Sequence, residues 1–184
     1  RVMEAMRLPK GTPEQQAERA RAIDAANRAA ADVPLQTARR CLAAIALAAS
    51  IVSSLLSVQT SGAGFTDLTA EVAKFVADAR AREGAVTLFI RHTSASLTIQ
   101  ENADPSVLDD LMTALDRLAP EGAGWSHDTE GPDDMPAHIK TMLTASSLQI
   151  PVLQGQLALG TWQAIYLIEH RRAPHRREVV LQFV

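Results

Sequence analysis

The sequence predicts an α+β fold preceded by an N-terminal helical hairpin, and three observations lead there. Residues 1–56 are alanine-rich and carry helix start and stop signals, whereas from about Val58 the apolar pattern shortens to runs of strand length. Between those runs stand two amphipathic stretches at helical spacing, one with Val72, Phe75, Val76 and Ala79, the other with Val107, Leu108, Leu111, Met112, Leu115 and Leu118. The chain therefore divides into a helical extension over 1–56 and a mixed domain over 57–184.

A chain of 184 residues that is 47% hydrophobic can bury a real core. Its net charge of −3 gives no general electrostatic reason to bind nucleic acid. The average hides a split, because residues 1–57 carry eight Arg and Lys against five acids and residues 58–184 carry ten against sixteen. The single cysteine, Cys41, excludes an internal disulfide and a cysteine-rich zinc site, which makes a reducing cytoplasm the simplest compartment. Cys41 itself reads as a small apolar residue on a helix.

In the extension, Thr12 can cap a helix that has Pro13 at its first position and Gln15 where a capping box needs it. Asp32-Val33-Pro34 breaks that helix and a second follows, with Leu35, Ala38, Leu42, Ile45 and Ala49 on one face. The nearly uncharged run from Cys41 to Leu56 falls short of the ~20 residues a bilayer span needs, and alanine and serine replace large aliphatics in it. It reads as a buried or partner-facing helix, not a membrane segment. The stretch Val2 to Thr12, with Val33-Pro34-Leu35 and the helix through Cys41, resembles an internal piece of the helical domain of formiminotransferase-cyclodeaminase and methenyltetrahydrofolate cyclohydrolase. About fifty residues carry that likeness, too few to enclose a folate site, so the segment reads as a fusion remnant or an artefact of assembly.

In the second domain, Ser57 to Thr60 reads as a short strand and Ser61-Gly62-Ala63-Gly64 as a turn. Asp67 or Thr69 caps the first helix. Ala85 to Ile90 is a strand that leads into Arg91-His92-Thr93-Ser94, where hydroxyls replace bulk. Asp104-Pro105 starts the second helix, and the Pro/Gly-rich loop 119–126 follows it with Trp125 as anchor. Next comes His127 to His138, which packs two imidazoles and Asp128, Glu130, Asp133 and Asp134 between prolines and a glycine. Such a segment suits proton transfer or a divalent cation, and it also suits a plain acidic surface loop. A short helix is expected from Ala137 to about Leu143, then a strand Leu148–Leu153 whose Pro151 belongs at an edge or bulge. Gln154-Gly155 makes a turn. Leu157 to Glu169 is long for one strand and bends at Gly160, and Glu178–Val184 forms the last strand.

All five histidines, at 92, 127, 138, 170 and 175, fall in the second domain at strand ends, in loops or at a helix start. Several of them joined by Glu130 would hold a divalent ion, although no pair shows a tight ligand spacing such as His-x-x-x-His. Glu169-His170-Arg171-Arg172 and His175-Arg176-Arg177 add cations suited to phosphate, or else form an exposed basic hairpin tip.

Five ordered blocks then carry a family resemblance: His92 to Ile99, Glu101 to Pro105, Glu130 to Lys140, Leu157 to Gln163, and Glu169-His170-Arg171 with Pro174-His175. Together they resemble the YjbQ family, also called UPF0047, over residues 57–184. The resemblance implies layered β-sheet with flanking helices, a homotrimer, and a weak secondary thiamine-phosphate synthase activity that joins a pyrimidine pyrophosphate to a thiazole phosphate. By position it carries over His92, Ser94, Ser96, Asn102, Asp104, His127, Glu130, Asp134, His138, Gln163, Glu169 and His170 as pocket residues. Two departures are the helical extension and Ile168, which stands where a cysteine is common before Glu-His-Arg.

The expectation is therefore a cytoplasmic, homotrimeric transferase acting on a small phosphorylated metabolite with a divalent metal, Mg or Zn. His92, His127 and His170 would hold the metal. His92, Glu130, His138 and His170 would be catalytic. Ser94, Ser96, Asn102, Asp104, Asp134, Lys140, Gln163, Glu169, Arg171 and Arg176 would bind substrate. The rival reading is a non-catalytic trimer that binds a metabolite or metal.

Overall fold

The computed structural model describes residues 51–184, so the helical hairpin and Cys41 lie outside the described residues. The described chain runs β1 (Val52–Gln59), β2 (Gly64–Asp67), α1 (Thr69–Asp78), β3 (Gly84–Ile90), β4 (Ala95–Glu101), α2 (Pro105–Leu118), α3 (Asp134–Leu143), β5 (Ser147–Leu153), β6 (Gln156–Leu157), β7 (Gln163–Glu169) and β8 (Arg176–Phe183). This is a mixed α+β fold of two antiparallel sheets, with strand orders β1-β8-β3-β5-β6 and β2-β7-β4. No helix among the described residues is long and apolar enough to cross a membrane.

One continuous core takes Val86, Leu88, Ile90, Val179 and Leu181 from the larger sheet and Leu97, Ile165 and Leu167 from the smaller. Helix α1 covers it with Val72, Phe75 and Val76, the stripe expected from the sequence. Asp67 Oδ1 accepts the Thr69 N–H at 2.8 Å and satisfies an orphan donor at the start of α1.

Several elements depart from expectation, among them β4, where no strand was read, and the run Leu157–Glu169, which is divided between β6 and β7. Strand β1 begins at Val52, inside the run read as helix to Leu56, because it pairs with β8 along its whole length. Backbone pairing on an edge strand leaves Ser53 and Leu55 facing outward, so side-chain pattern carries little of that signal. Strand β2 is too short for periodicity to reveal. The apolar face of α2, expected to be core, is only partly covered: none of its residues is buried and Leu118 is exposed. Helix α3 begins at Asp134 instead of Ala137, since Pro136 fits within a first turn whose N–H groups have no helical acceptor.

Candidate active site at the end of β7

Strand β7 carries six buried residues in succession, Ala164 to Glu169, because it is the middle strand of its sheet and packs on both faces. Its last residues deliver Glu169 and His170 into the interior. Glu169 is fully buried and meets the equally buried Arg177 in a two-pronged pair, Nε to Oε2 and Nη2 to Oε1, both at 2.6 Å. The Thr60 hydroxyl donates to Oε2 at 3.0 Å and the Arg171 backbone N–H to Oε1 at 3.0 Å. Burial pushes the Glu169 carboxyl up, but these donors outweigh it and hold the group below its ordinary value.

The network extends to His92. Arg177 Nη2 donates to Ser94 Oγ at 3.1 Å, and the Ser94 N–H donates to His92 Nδ1 at 3.1 Å. A ring nitrogen that accepts carries no proton, so neutral His92 holds its hydrogen on Nε2. Burial and then the Arg177 charge lower its pKa, favouring that neutral form.

From Arg171 the network reaches α3. Its guanidinium binds Asp133 Oδ2 through Nε at 3.2 Å, the Glu130 carbonyl through Nη2 at 2.7 Å, and Asp134 Oδ1 through Nη1. Asp133 also accepts the Arg172 backbone N–H at 2.9 Å; burial raises its carboxyl, and these donors bring the net shift downward. Asp134 thus has one oxygen held by Arg171. Its other oxygen, Oδ2, is buried outside any hydrogen bond and faces His127 Nε2 at 2.8 Å.

Because α3 starts at Asp134, His138 falls four residues later on the same helical face. Its Nδ1 lies 3.1 Å from the Thr93 carbonyl, which only accepts, so Nδ1 carries the proton and the Nε2 lone pair is left free. The imidazoles of His127 and His138 have centroids 5.4 Å apart. His127, Asp134 and His138 offer ligand atoms within 4.8 Å of one another, the one such group of three among the described residues. The buried Asp134 oxygen facing His127, the free His138 nitrogen and the Arg171 brace fit a divalent cation.

The expected metal set of His92, His127 and His170 is not brought together. His92 Nδ1 is taken by Ser94, and His170 Nε2 lies 2.9 Å from Ser96 Oγ in the interior. Burial, reinforced by Lys140, lowers the His170 pKa to about 4. Asn102, Asp104 and Gln163 are not at this site either. Glu101 pairs with Gln163 at one end of the β4–β7 ladder and Ala95 with Glu169 at the other, about 20 Å along the strands. There Asp104 caps α2 by accepting the Ser106 N–H at 2.9 Å, and Gln163 accepts the Gly160 N–H at 2.8 Å. Lys140, buried, pairs with Asp116 at 2.5 Å away from the trio. Exposed Glu130 reaches Arg171 at 3.6 Å, and exposed Arg176 faces Glu178 at 3.8 Å.

Arg177, the central cation, was expected only as part of the basic run His175-Arg176-Arg177, with Arg176 and not Arg177 named as substrate-binding. Alternation along β8 points to it, since Arg177, Val179 and Leu181 share the inward face while Arg176 faces out. An open pocket of about 690 Å³ adjoins the network, lined by apolar Phe89, Ile90 and Met142 and by Arg91, His92, Thr93 and His138 among others.

Residues 54–184 match the profile of the UPF0047 protein YjbQ-like family. The chain belongs to the YjbQ-like family. A UPF0047 protein of Synechocystis sp. is 48% identical over 128 residues, covering 69% of this chain and 87% of that protein. YjbQ of Escherichia coli O157:H7 is 40% identical over 126 residues, covering 68% and 91%. A solved YjbQ/UPF0047 structure from Clostridium acetobutylicum superposes with a TM-score of 0.67 at 39% identity, covering 71% of this chain and 99% of that one. A conserved hypothetical protein from Thermus thermophilus gives 0.64 at 36%, with coverage of 71% and 99%. Residues 1–79 also match the formiminotransferase-cyclodeaminase profile, overlapping the YjbQ-like match over residues 54–79, where most of β1, all of β2 and all of α1 lie.

Proposed function

We propose that this YjbQ-like chain is a metal-dependent enzyme acting on a small phosphorylated metabolite, with His127, Asp134 and His138 as metal ligands and the adjoining pocket as the substrate site. The observation that supports it is the double position of His138, which belongs to the ligand trio and also lines the pocket. Two imidazoles and one carboxylate favour a zinc-class ion over magnesium, and three protein ligands leave an open position for substrate. A cation there would supply Lewis-acid polarisation of a phosphate oxygen. Arg171 fixes the Asp134 carboxylate, and the Thr93 carbonyl fixes the His138 tautomer. His92 and Arg91 line the pocket as donors for an anion, Arg91 through the guanidinium hydrogens it does not spend on Glu178 at 2.9 Å.

The reaction we propose is thiamine-phosphate synthesis as a secondary activity. The thiazole nitrogen bonds to the pyrimidine methylene carbon, the carbon–oxygen bond to pyrophosphate breaks, and pyrophosphate leaves with the electron pair. We place the enzyme in the cytoplasm as a homotrimer, with exposed Leu55 and Trp162, which lie outside the pocket lining, as apolar surface for subunit contact.

The test supplies both phosphorylated precursors to zinc- or magnesium-loaded protein and follows pyrophosphate. Release abolished by His138→Ala supports the reading. Tight metal uptake with no product instead makes the chain a metal- or metabolite-binding protein.

A further inference from the structure

A second cavity, of about 260 Å³, is lined by Ala63, Asp116, Ala119, Lys140, His170 and Arg172 among others. It shares no lining residue with the pocket beside His92. Lys140 follows His138 by two residues on α3, a spacing that points side chains to different faces of a helix.

His170 and Lys140 both line this cavity. His170 is 2% exposed, and its Nδ1 is buried without a hydrogen-bond partner. Its other nitrogen, Nε2, contacts the Ser96 hydroxyl at 2.9 Å, and that hydroxyl has no other partner among the described residues. With the Ser96 hydroxyl donating, Nε2 accepts and the neutral ring carries its hydrogen on Nδ1, the tautomer on which the proposal below stands. That leaves an N–H in the interior with nothing to receive it, an uncompensated loss of hydration unless an acceptor enters. Beside it, the Lys140 ammonium is 7% exposed and spends one hydrogen on Asp116, leaving two unassigned. The carboxylates belong to the outer part: Asp116 is 66% exposed, and Glu121 is held by the exposed Arg172 at 2.8 Å.

We propose that this cavity is a second binding site, which takes a small oxyanion onto the Nδ1–H of His170 and the free hydrogens of Lys140. Phosphate and carboxylate present the same acceptor chemistry, and the measurement separates them.

Protein labelled with ¹⁵N at histidine, kept free of metal with a chelator, is titrated with inorganic phosphate and separately with acetate while the ring nitrogens are followed by NMR. The expected result is a neutral His170 protonated on Nδ1 that shifts saturably with one of the two anions. Lys140→Met weakens that response at least about tenfold, as loss of a charged hydrogen bond should. Asp116→Asn, at an exposed position, strengthens it by removing a negative neighbour. His127→Ala leaves it unchanged, so failure of the metal site and failure of this site are told apart. A His170 protonated on Nε2, or no saturable shift with either anion at tens of millimolar, overturns the proposal whether or not the Lys140 variant folds.

Discussion

Glu169 and Arg177 are two full charges in a dry interior, tolerable only because each satisfies the other with two hydrogen bonds. Replacing Arg177 by Met leaves an unpaired buried carboxylate, and the expected loss is about 3–5 kcal/mol in a urea unfolding curve. His170 adds a pH dependence. Its folded pKa of about 4 lies below the ordinary value of 6.5, so between those limits the unfolded chain binds a proton that the folded chain refuses. Stability is therefore fully present above pH 6.5 and falls as the pH drops toward 4, by on the order of 3 kcal/mol. Glu169 acts lower: its depressed folded value stabilises above the unfolded carboxylate range, and that contribution disappears as pH falls through the folded value. Urea midpoints measured from pH 8 to 4 should show the histidine slope, and His170→Asn should flatten it. An unchanged slope would remove His170 as its source.

At the level of elements, strand parity and helix starts decide which residues meet. Arg176 and Arg177 are adjacent in sequence, yet β8 turns one outward and the other into the core. Arg176→Ala should change stability by less than about 0.5 kcal/mol, against the large loss at Arg177, in the same unfolding assay. Gly84 opens β3 at φ +153°, where an added Cβ would lie 2.3 Å from the Val184 carbonyl oxygen. Gly84→Ala should cost at least about 1 kcal/mol, read as a lower melting temperature. The two amphipathic helices were legible from caps and spacing, and β3, β5 and β8 from β-branched runs. Strand β1 was not, because an edge strand is specified by pairing to β8, which no local pattern records. Helix α3 was misplaced by reading Pro136 as a barrier before the helix. That error hid the site, since starting the helix at Asp134 is what makes Asp134 and His138 an i, i+4 pair.

On the scale of the whole molecule, two sheets share one core and bring the ends of β3, β7 and β8 toward α3. That convergence explains why residues as distant in sequence as Thr60, His92, Asp134 and Arg177 form one polar network. It also explains why Asn102, Asp104 and Gln163 do not join it: the five blocks place residues in sequence order, whereas the antiparallel ladder sends Gln163 to the far end of β7. Which histidines meet depends on that register, so the sequence pointed to imidazoles and a metal but not to this trio. Light scattering should return three times the chain mass if the exposed apolar side chains mediate a trimer, and a single chain mass would count against it.

The most direct test of the site is a zinc titration of chelator-stripped protein followed by isothermal calorimetry, on wild type, His127→Ala and Asp134→Asn. One ion per chain, with affinity reduced at least about tenfold in each variant, is the predicted result. Stoichiometric binding that both variants retain would place the metal elsewhere, and no binding by folded wild-type protein would contradict the account.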